Sequence, residues 1–516
     1  MIHLCSSLEK VFDHQSFQEY DLSSFTLLKD ERYSFQLILE DERDFEIECD
    51  LKFNIRAVQE VMCQKPVNGK YDEHYLFTSP QKAPDLLIEM EGLKKKRNVI
   101  WIDVYGNLPG DHSLWILTQG EKKEIKVHVL AVLPDKMKLI FTQWFHLDSI
   151  LNYYHCKLFS EEFYAYLEIS LKHYSKFRNM ILTPVITPPL DTEVGKEREN
   201  VQLVIITRDE EGYHYDYRHL ERFIKLCQKT GIEYFEISHL FSQWGAAYAP
   251  NIYINDQLTF GWHVCSNDAK YLTFLRSFLP SLKEELKKLG VFDQCYFHLS
   301  DEPDLRAIGY QEARKAIDDL LKDCTLIEAL RDYEYYAKGW VDIPVCSTRY
   351  ITPFLDHRPE KLWCYYCCAE TTKVPNHFIA MPNYRNRVTG VLLYYYAIDG
   401  LLHWGYNFYN DENSRNAIDP YQSVDGNGGY PSGDPFIVYP SKNGFNVDSI
   451  RNLILEDAIG DYRALCKLEE RIGRQKVIEI IEKRLGKISF ESYPDDPLVY
   501  LELKEEINRR IGESYE

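Results

Sequence analysis

Two adjacent carboxylates, Asp301 and Glu302, are the side chains of this sequence best suited to chemistry. They follow an apolar, aromatic run in the segment YFHLSDE, residues 296–302, and precede Pro303. Two carboxyl groups that hold different protonation states are the usual means of breaking a glycosidic bond. A structural role also suits these residues, because Asp301 could cap a following helix and Glu302 could interact favourably with its dipole. The segment alone leaves both interpretations open.

The elements around this pair suit a (β/α)8 barrel, which presents catalytic groups where its strands end at the C-terminal rim. From about Lys138 onward, short apolar runs alternate with longer amphipathic segments, which predicts parallel βα units. Strands are predicted at residues 139–144, 180–185, 234–237, 295–299, 326–330, 342–345, 362–366 and 401–405. Helices are predicted at about 161–177, 217–229, 269–289, 304–322 and 384–398, and from about 447 past 470. The eight strands predict one closed TIM-type barrel with the pair after its fourth strand; a doubly wound open sheet is the alternative.

Residues 1 to about 133 have a different pattern. Short runs such as 33–39, 45–49 and 99–104 alternate apolar and polar residues between charged or Gly/Pro turns. This alternation is typical of half-buried antiparallel strands, and about seven of them predict a β-sandwich. The predicted domains are therefore an antiparallel β-sandwich at 1–133 and a catalytic barrel at 134–516. We expect the sandwich to pack on the barrel without entering its active site.

Composition excludes several classes of partner. The formal net charge of -20 argues against nucleic acid and against an anionic membrane surface as the main partner. No stretch approaches the ~20 apolar residues of a membrane span. The first residues lack the basic and apolar regions of a signal peptide, and 13 scattered cysteines suit reduced thiols. The sequence therefore predicts a cytoplasmic protein without nucleic-acid or membrane partners, and it leaves the oligomeric state open.

Further candidate binding residues follow the predicted barrel strands. After the second strand, Asp191 could bind a hydroxyl group or make an Asx turn. After the third, His239, Gln243 and Trp244 offer hydrogen bonds and a stacking face, or they could simply pack in the core. The chain holds 38 Tyr, 26 Phe and 8 Trp, and aromatic faces with polar edges suit the C–H surfaces and hydroxyls of sugars. The long loop 407–446, rich in Gly, Asn, Asp and Pro, is a candidate functional loop.

Metal and cofactor sites are not predicted. Cys364 and Cys367 have a Cys-x-x-Cys spacing, but strand alternation directs their side chains to opposite faces. No second Cys/His pair with zinc spacing accompanies them, which favours structural thiols. The glycine-rich stretch at 426–429 is followed by neither a helix nor a lysine, so a phosphate loop is not indicated.

Three motifs in order, FHLSDEP at 297–303, WCYYC at 363–367 and GLLHWGYN at 400–407, resemble glycoside hydrolase family 123. The later segments GD at 433–434, YP at 439–440, SIR at 449–451 and GDY at 460–462 resemble its C-terminal region, a domain of unknown function called DUF4091, here about 383–470. The resemblance covers about Phe141 to Leu468. It is specific for the superfamily and less specific for the substrate.

This resemblance implies a retaining β-N-acetylhexosaminidase, of the β-N-acetylgalactosaminidase type, that uses substrate-assisted catalysis. The absence of a signal peptide suggests an imported, small glycan as its substrate. Asp301 would orient the sugar's 2-acetamido group and Glu302 would be the acid/base; an ionised Asp301 is expected to favour a protonated Glu302. A glycosidase for another sugar and a non-catalytic carbohydrate-binding or regulatory protein are the alternatives. The expected substrate-binding residues are Asp191, His239, Gln243, Trp244, Trp363, Tyr365, Arg387, Trp404, Asn407 and Asp434.

Overall fold

The computed structural model describes residues 2–40, 44–90, 97–190, 192, 201–303, 308–444 and 446–515. Two β-sheets form the N-terminal region, and a closed parallel barrel with surrounding helices forms the rest. This is the order of architectures that the sequence predicts. The predicted helix start at residues 304–307 lies outside the described residues.

The N-terminal strands are β1 His3–Ser6, β2 Ser24–Leu28, β3 Arg32–Glu40, β4 Phe45–Glu48, β5 Phe53–Cys63, β6 Gln81–Glu89, β7 Arg97–Tyr105, β8 Gly110–Thr118 and β9 Glu121–Leu130. One sheet has the order β1-β3-β7-β5-β6 and the other β2-β9-β8-β4. Apolar residues such as Phe35, Ile102 and Leu114 form a common core between the two sheets, because alternate residues of each strand point inward. The pair β2–β9 is parallel, so the sheets are not antiparallel throughout.

The barrel strands are β10 Ile140–Gln143, β11 Met180–Thr183, β12 Tyr234–Ile237, β13 Cys295–Phe297, β14 Thr325–Leu330, β15 Ile343–Ser347, β16 Trp363–Tyr365 and β17 Gly400–His403. They are paired in chain order, and β17 closes the barrel by pairing in parallel with β10. All eight predicted strands are confirmed. At Gly400 a Cβ would lie 2.2 Å from the Trp363 ring, so only glycine allows this indole to fill the barrel interior.

The helices are α1 Leu147–Tyr154, α2 Glu161–Tyr174, α3 Arg218–Thr230, α4 Ala269–Lys288, α5 Ile308–Leu321, α6 Glu334–Ala337, α7 Thr352–Asp356, α8 Asn383–Tyr395, α9 Ile450–Ile472, α10 Arg474–Leu485 and α11 Leu498–Tyr515. Ser160, Asp268 and Ser449 accept backbone N–H groups at the starts of α2, α4 and α9, which satisfies donors that a helix end leaves free. Short hairpins at 205–216, 252–260 and 438–448 complete the chain. Within the described ranges, no helix is both long and apolar enough to cross a membrane.

Buried ion pairs join the sandwich to the barrel. Arg451 of α9 donates from Nε and Nη2 to the two carboxylate oxygens of Asp85 at 2.8 and 2.9 Å. Arg32 of β3 donates to Asp457 of α9 at 2.6 Å. A bidentate geometry offsets much of the desolvation that a buried charge costs. These ion pairs therefore fasten the N-terminal sheets to a helix that follows the barrel strands.

Candidate active site

A cavity of about 130 Å³ opens at the C-terminal ends of the barrel strands. Its lining comes from seven of the eight strand ends and from the long loop after β17: Trp144, Leu190, Gln243, Trp244, Asp301, Glu302, Ala329, Tyr365, Tyr366, Cys367, Cys368, Leu402, Trp404 and Tyr430. A larger cleft of about 620 Å³ lies between the sandwich and α11. Its charged side chains pair with each other, as Arg484 does with Glu502 at 2.7 Å. The barrel cavity is therefore the better candidate for an active site.

Asp301 and Glu302 lie just beyond β13 in an unusual backbone. Glu302 has φ +41° and Trp244, in the loop after β12, has φ +63°. Non-glycine residues rarely adopt this left-handed region, and such strain persists only where surrounding structure enforces it. The backbone N–H of Trp244 donates to the carbonyl oxygen of Asp301 at 2.8 Å. The two loops thus hold each other and fix the direction of the carboxylates.

Glu302 has two partners in the pocket. The hydroxyl of Tyr365 donates to its Oε1 at 2.6 Å, and Nη2 of Arg331 lies 3.4 Å from Oε1 and 3.5 Å from Oε2. Burial alone would lower the pKa of Arg331, but the charge of Glu302 raises it above the ordinary value. Burial and the same charge hold the pKa of Tyr365 well above its usual range. Arg331 therefore stays a cation and Tyr365 a protonated donor.

The carboxyl group of Asp301, unlike that of Glu302, is buried in surroundings that oppose its ionisation. Burial, and then the charge of Glu302, raise the pKa of Asp301 well above its ordinary value. Two adjacent carboxyl groups cannot both ionise cheaply. Burial therefore disfavours the ionised form of Asp301, whereas Glu302 faces a cation and a hydroxyl donor. The expected state, in which Asp301 is ionised and Glu302 protonated, requires the opposite order and stays a prediction.

Three buried charged side chains lie beneath the pair. His298 Nε2 lies 2.7 Å from Glu236 Oε1, and its Nδ1 lies 3.2 Å from Glu328 Oε2. Burial alone would lower the pKa of His298, but the hydrogen bonds to both carboxylates raise it to about 10. We call Glu236, His298 and Glu328 the buried triad.

Aromatic side chains form the walls of the cavity. The rings of Trp404 and Tyr430 lie 4.9 Å apart, and Trp404 Nε1 donates to Asp434 Oδ2 at 3.0 Å. Trp144 lies under the pocket, and the side chain of Trp244 at the mouth is 51% exposed. Flat rings with one polar edge suit the apolar faces and hydroxyl rims of a sugar.

The sandwich supports two of these walls from behind. Asp425 accepts the backbone N–H groups of Gln64 and Lys65 at 3.0 and 3.1 Å, in the loop that carries Tyr430. Asn68 donates to the carbonyl oxygen of Cys368 at 3.1 Å. We call Gln64–Asn68, just after β5, the support segment. Among the described residues that line the cavity, none precedes residue 134, as expected for a sandwich that does not enter the site.

The structure brings six predicted site residues together in the cavity: Asp301, Glu302, Gln243, Trp244, Tyr365 and Trp404. Asp191 lies outside the described residues. Trp363 instead fills the barrel interior, where its ring lies 5.1 Å from that of Tyr296. His239 is fully buried beside the triad, and its ring stacks on His298 at 4.2 Å.

The other predicted residues are structural in this fold. Arg387 of α8 donates to both carboxylate oxygens of Asp461 in α9, at 2.5 and 2.8 Å. Asn407 exchanges two hydrogen bonds with the backbone of His146. Asp434 is fully buried and reaches the site only through Trp404. None of the three is among the described residues that line the cavity.

Several lining or adjacent residues were not predicted: Trp144, Leu190, Arg331, Tyr366, Cys367, Cys368, Leu402 and Tyr430. A usable signal existed for Trp144 and Arg331, because they stand at the ends of predicted strands, where barrel enzymes carry functional side chains. Cys364 is buried in β16 while Cys367 lies in the cavity wall. The two cysteines therefore lie in different environments, and Cys367 lies beyond the end of β16.

Two groups of buried residues contain side chains of the types that bind metal ions. The first group is His239, His298 and Glu328, and the second is His377, His403 and Asp434. In the second group the backbone N–H of Gly405 donates to Nδ1 of His403 at 3.0 Å, which places the ring proton on Nε2, facing Asp434. In the first group both nitrogens of His298 face carboxylates. Neither His298 nor His403 therefore has a lone pair for a metal ion, which leaves each group one histidine and one carboxylate, fewer than the three protein ligands of a typical site.

A closed (β/α)8 barrel with adjacent carboxylates in an aromatic pocket at its C-terminal rim suits a glycosidase. The sequence profile described as "Glycoside hydrolase 123, catalytic domain" matches residues 144–468, and the chain belongs to this family. The enzyme is thus a glycoside hydrolase that acts on glycan substrates.

A solved family 123 glycoside hydrolase from Clostridium perfringens, described in terms of glycolipid glycan hydrolysis, is similar over 99% of this chain and 98% of its own, with 14% identity and a TM-score of 0.74. A cyclomaltodextrinase matches with 8% identity over 90% of this chain and 84% of its own, at a TM-score of 0.33. A GH2 β-galacturonidase from Eisenbergiella tayi matches with 9% identity over 89% and 71%, at a TM-score of 0.32. The first of these structures shows the same fold. No curated protein matches the sequence.

Proposed function

We propose that this glycosidase is a retaining β-N-acetylhexosaminidase, of the β-N-acetylgalactosaminidase type, that uses the substrate's 2-acetamido group as its nucleophile. The adjacency of Asp301 and Glu302 on the floor of the aromatic cavity carries the proposal. A retaining enzyme with its own nucleophile places two carboxylates on opposite sides of the bond, about 5 Å apart. Asp301 and Glu302 are instead adjacent in sequence at the end of one strand. This arrangement suits one acid/base and one partner for the acetamido group.

In this mechanism the acetamido carbonyl oxygen attacks the anomeric carbon while Glu302 protonates the leaving oxygen. Asp301 accepts the acetamido N–H and stabilises the positive charge that develops on the nitrogen. The resulting oxazoline-type ring is then opened by water, from which Glu302 takes a proton. Each carboxyl group acts on a different atom of the substrate, so each needs its own protonation state.

These roles need an ionised Asp301, although burial and the charge of Glu302 raise the pKa of Asp301, and Glu302 already faces Tyr365 and Arg331. A bound amide N–H donates to Asp301 and favours its ionised form, and a neutral sugar oxygen beside Glu302 favours the protonated acid. The pair thus takes up its working state only with an N-acyl sugar in place, which links proton position to substrate identity.

The test compares 4-nitrophenyl 2-acetamido glycosides of the galacto and gluco series with the matching 2-hydroxy glycosides. We expect turnover of an N-acetyl substrate, retention at the anomeric carbon and inhibition by an N-acetylhexosamine thiazoline. Substantial hydrolysis of the 2-hydroxy partner at a similar kcat/KM would overturn substrate assistance and favour a glycosidase for another sugar. The galacto and gluco pair then assigns the preference at the 4-hydroxyl group.

A further inference from the structure

Beneath the catalytic pair lies a set of charges that the proposed mechanism does not use. Glu236, His298 and Glu328 are each fully buried in the barrel. Burial of one ionised side chain costs several kcal/mol, and apolar residues in place of a buried ion pair are often neutral or stabilising. Stability therefore does not explain why the barrel holds three charged groups at this position.

The charge state of the buried triad follows from its geometry. Each ring nitrogen of His298 faces a carboxylate oxygen, Glu236 at 2.7 Å and Glu328 at 3.2 Å. A neutral imidazole has one N–H donor and would face the other carboxylate with a lone pair. His298 is therefore a cation between two carboxyl groups, and the triad carries one net negative charge when both are ionised. Burial raises the pKa of Glu328 above its ordinary value, and the hydrogen bonds from His298, Leu299 and Ser300 oppose that shift.

One end of the triad holds the backbone that precedes the catalytic pair. Glu328 Oε1 accepts the N–H groups of Leu299 and Ser300 at 2.6 and 3.3 Å, and the hydroxyl of Tyr310 at 3.2 Å. Leu299 and Ser300 are the two residues directly before Asp301. Any movement of Glu328 therefore displaces the chain from which both carboxylates project.

The other end holds the cavity wall. Glu236 accepts Nε1 of Trp144 at 2.7 Å and the hydroxyl of Thr142 at 2.7 Å. Trp144 lines the cavity. His298 thus connects, through two carboxylates, an aromatic surface for the sugar with the strand end that carries the acid and its partner.

We propose that Glu236, His298 and Glu328 are positioning residues of this glycosidase, which hold the catalytic pair in register with Trp144 and place a fixed negative charge beneath it. The proposal rests on the roles given above to Asp301 and Glu302. The charged groups that act on Asp301 are Glu302, Glu328 and Glu236, which disfavour its ionisation, and His298, which favours it. The net charge of the triad therefore helps to retain the proton that the pair needs.

The experiment uses Glu328→Gln and Glu236→Gln in the full chain. Either change keeps the size of the side chain and one oxygen that accepts hydrogen bonds, but it removes one negative charge. Asp301 should therefore ionise more easily. We expect the acidic limb of the profile of kcat/KM against pH to move to lower pH by about half a unit or more. We also expect kcat to fall at least severalfold while the far-UV circular dichroism spectrum is retained.

The matched control is Asp103→Asn in the sandwich. Asp103 is also fully buried, accepts hydrogen bonds from Trp101 and Ser34 at 2.8 and 2.7 Å and forms ion pairs with Arg32 and Arg56, but it lies in β7 of the sandwich and does not line the cavity. This variant should lose stability and keep the wild-type pH profile. If both triad variants fold and their acidic limbs stay in place, as in Asp103→Asn, the triad is only structural and the proposal is overturned.

Two features of the experiment distinguish a failure of the positioning role from a failure of the proposed function. The pH profile is measured with whichever glycoside the wild type hydrolyses, so a failed requirement for an N-acyl group leaves the limb shift measurable. The two variants alter different ends of the triad, and either one that folds decides the question. If neither folds, the conservative variant Thr142→Val, which removes one donor to Glu236, must lower kcat without a matching rise in KM; an unchanged kcat counts against the proposal.

Discussion

The hydroxyl of Tyr365 donates a 2.6 Å hydrogen bond to Oε1 of Glu302 across the mouth of the barrel. Tyr365 ends β16 and Glu302 follows β13, so the bond joins strands that are not neighbours in the barrel. A carboxylate held in this way has one defined direction before any substrate arrives, which reduces the reorganisation needed during the reaction.

Glu302→Gln should lower kcat/KM by roughly 10²–10⁴-fold, because general acid–base catalysis is typically worth this factor. The loss should be smaller for nitrophenyl glycosides, whose leaving group hardly needs protonation. Steady-state kinetics on good and poor leaving groups measure the contrast, and added azide should restore part of the turnover. An equal loss for every leaving group would contradict the role of acid.

Asp301→Asn should behave differently, because it removes the charge that stabilises the acetamido nucleophile. We expect a loss of roughly 10²-fold or more that does not depend on the leaving group. The measurement is the same substrate series used for Glu302→Gln. Rescue of this variant by a better leaving group would show that the two roles are not separate.

Tyr365→Phe should lower kcat by roughly tenfold or more, since a hydrogen bond to a charged group contributes about 1.5–3 kcal/mol. The matched control is Tyr366→Phe, a neighbouring tyrosine of the cavity whose hydroxyl contacts Nδ1 of His377 at 3.1 Å instead of Glu302. Steady-state kinetics compare the two. An equal loss in both would mean that the hydroxyl of Tyr365 has no special relation to the acid.

Trp404→Ala should raise KM strongly while leaving the fold intact, because the indole forms a wall of the cavity rather than part of the barrel interior. Asp434→Asn should have a smaller effect in the same direction, since its side chain accepts from Nε1 of Trp404 without reaching the cavity. Thiazoline affinity and melting temperature separate binding from stability. Unchanged affinity in Trp404→Ala would remove this residue from the sugar site.

The buried triad should make stability depend on pH. The pKa of His298 is raised to about 10, above the ~6.5 of an unfolded histidine. Its stabilising contribution is therefore complete below about pH 6.5 and is lost as the pH rises toward 10. In Glu328→Gln this contribution is smaller, so the excess stability of the wild type should shrink over the same interval. Urea denaturation of both proteins at pH 6.5, 8 and 9.5 measures it; a constant difference would contradict the ion pairs.

Much of the barrel could be predicted because each of its strands is marked by residues that are close together in the sequence. Strands buried on both faces of a parallel sheet are nearly continuous apolar runs, and each ends at the rim where polar side chains begin. The segment ending at Asp301 and Glu302 contains both signals. One local pattern therefore predicts both the strand positions and the catalytic candidates.

The rest of the cavity could not be predicted, because it depends on contacts between distant parts of the chain. Tyr430 stands in a loop without periodicity, and its position depends partly on Asp425 and the support segment, about 360 residues earlier. Arg387 and Asn407 show the opposite error, because the sequence suggests that they bind substrate whereas they bind other parts of the protein. In sequence, a buried polar side chain that satisfies the protein's own groups is indistinguishable from one that binds a ligand.

The support segment gives the enzyme a way to change specificity without altering any residue that meets the sugar. Asn68 and the backbone of Gln64 and Lys65 hold the outer side of two cavity walls. A substitution or a one-residue insertion there would shift Cys368 and Tyr430 together, leaving the carboxylates and their chemistry untouched. Mutant libraries that aim to broaden the range of accepted glycans should therefore include residues 64–68. A barrel transferred to another scaffold should keep the support segment.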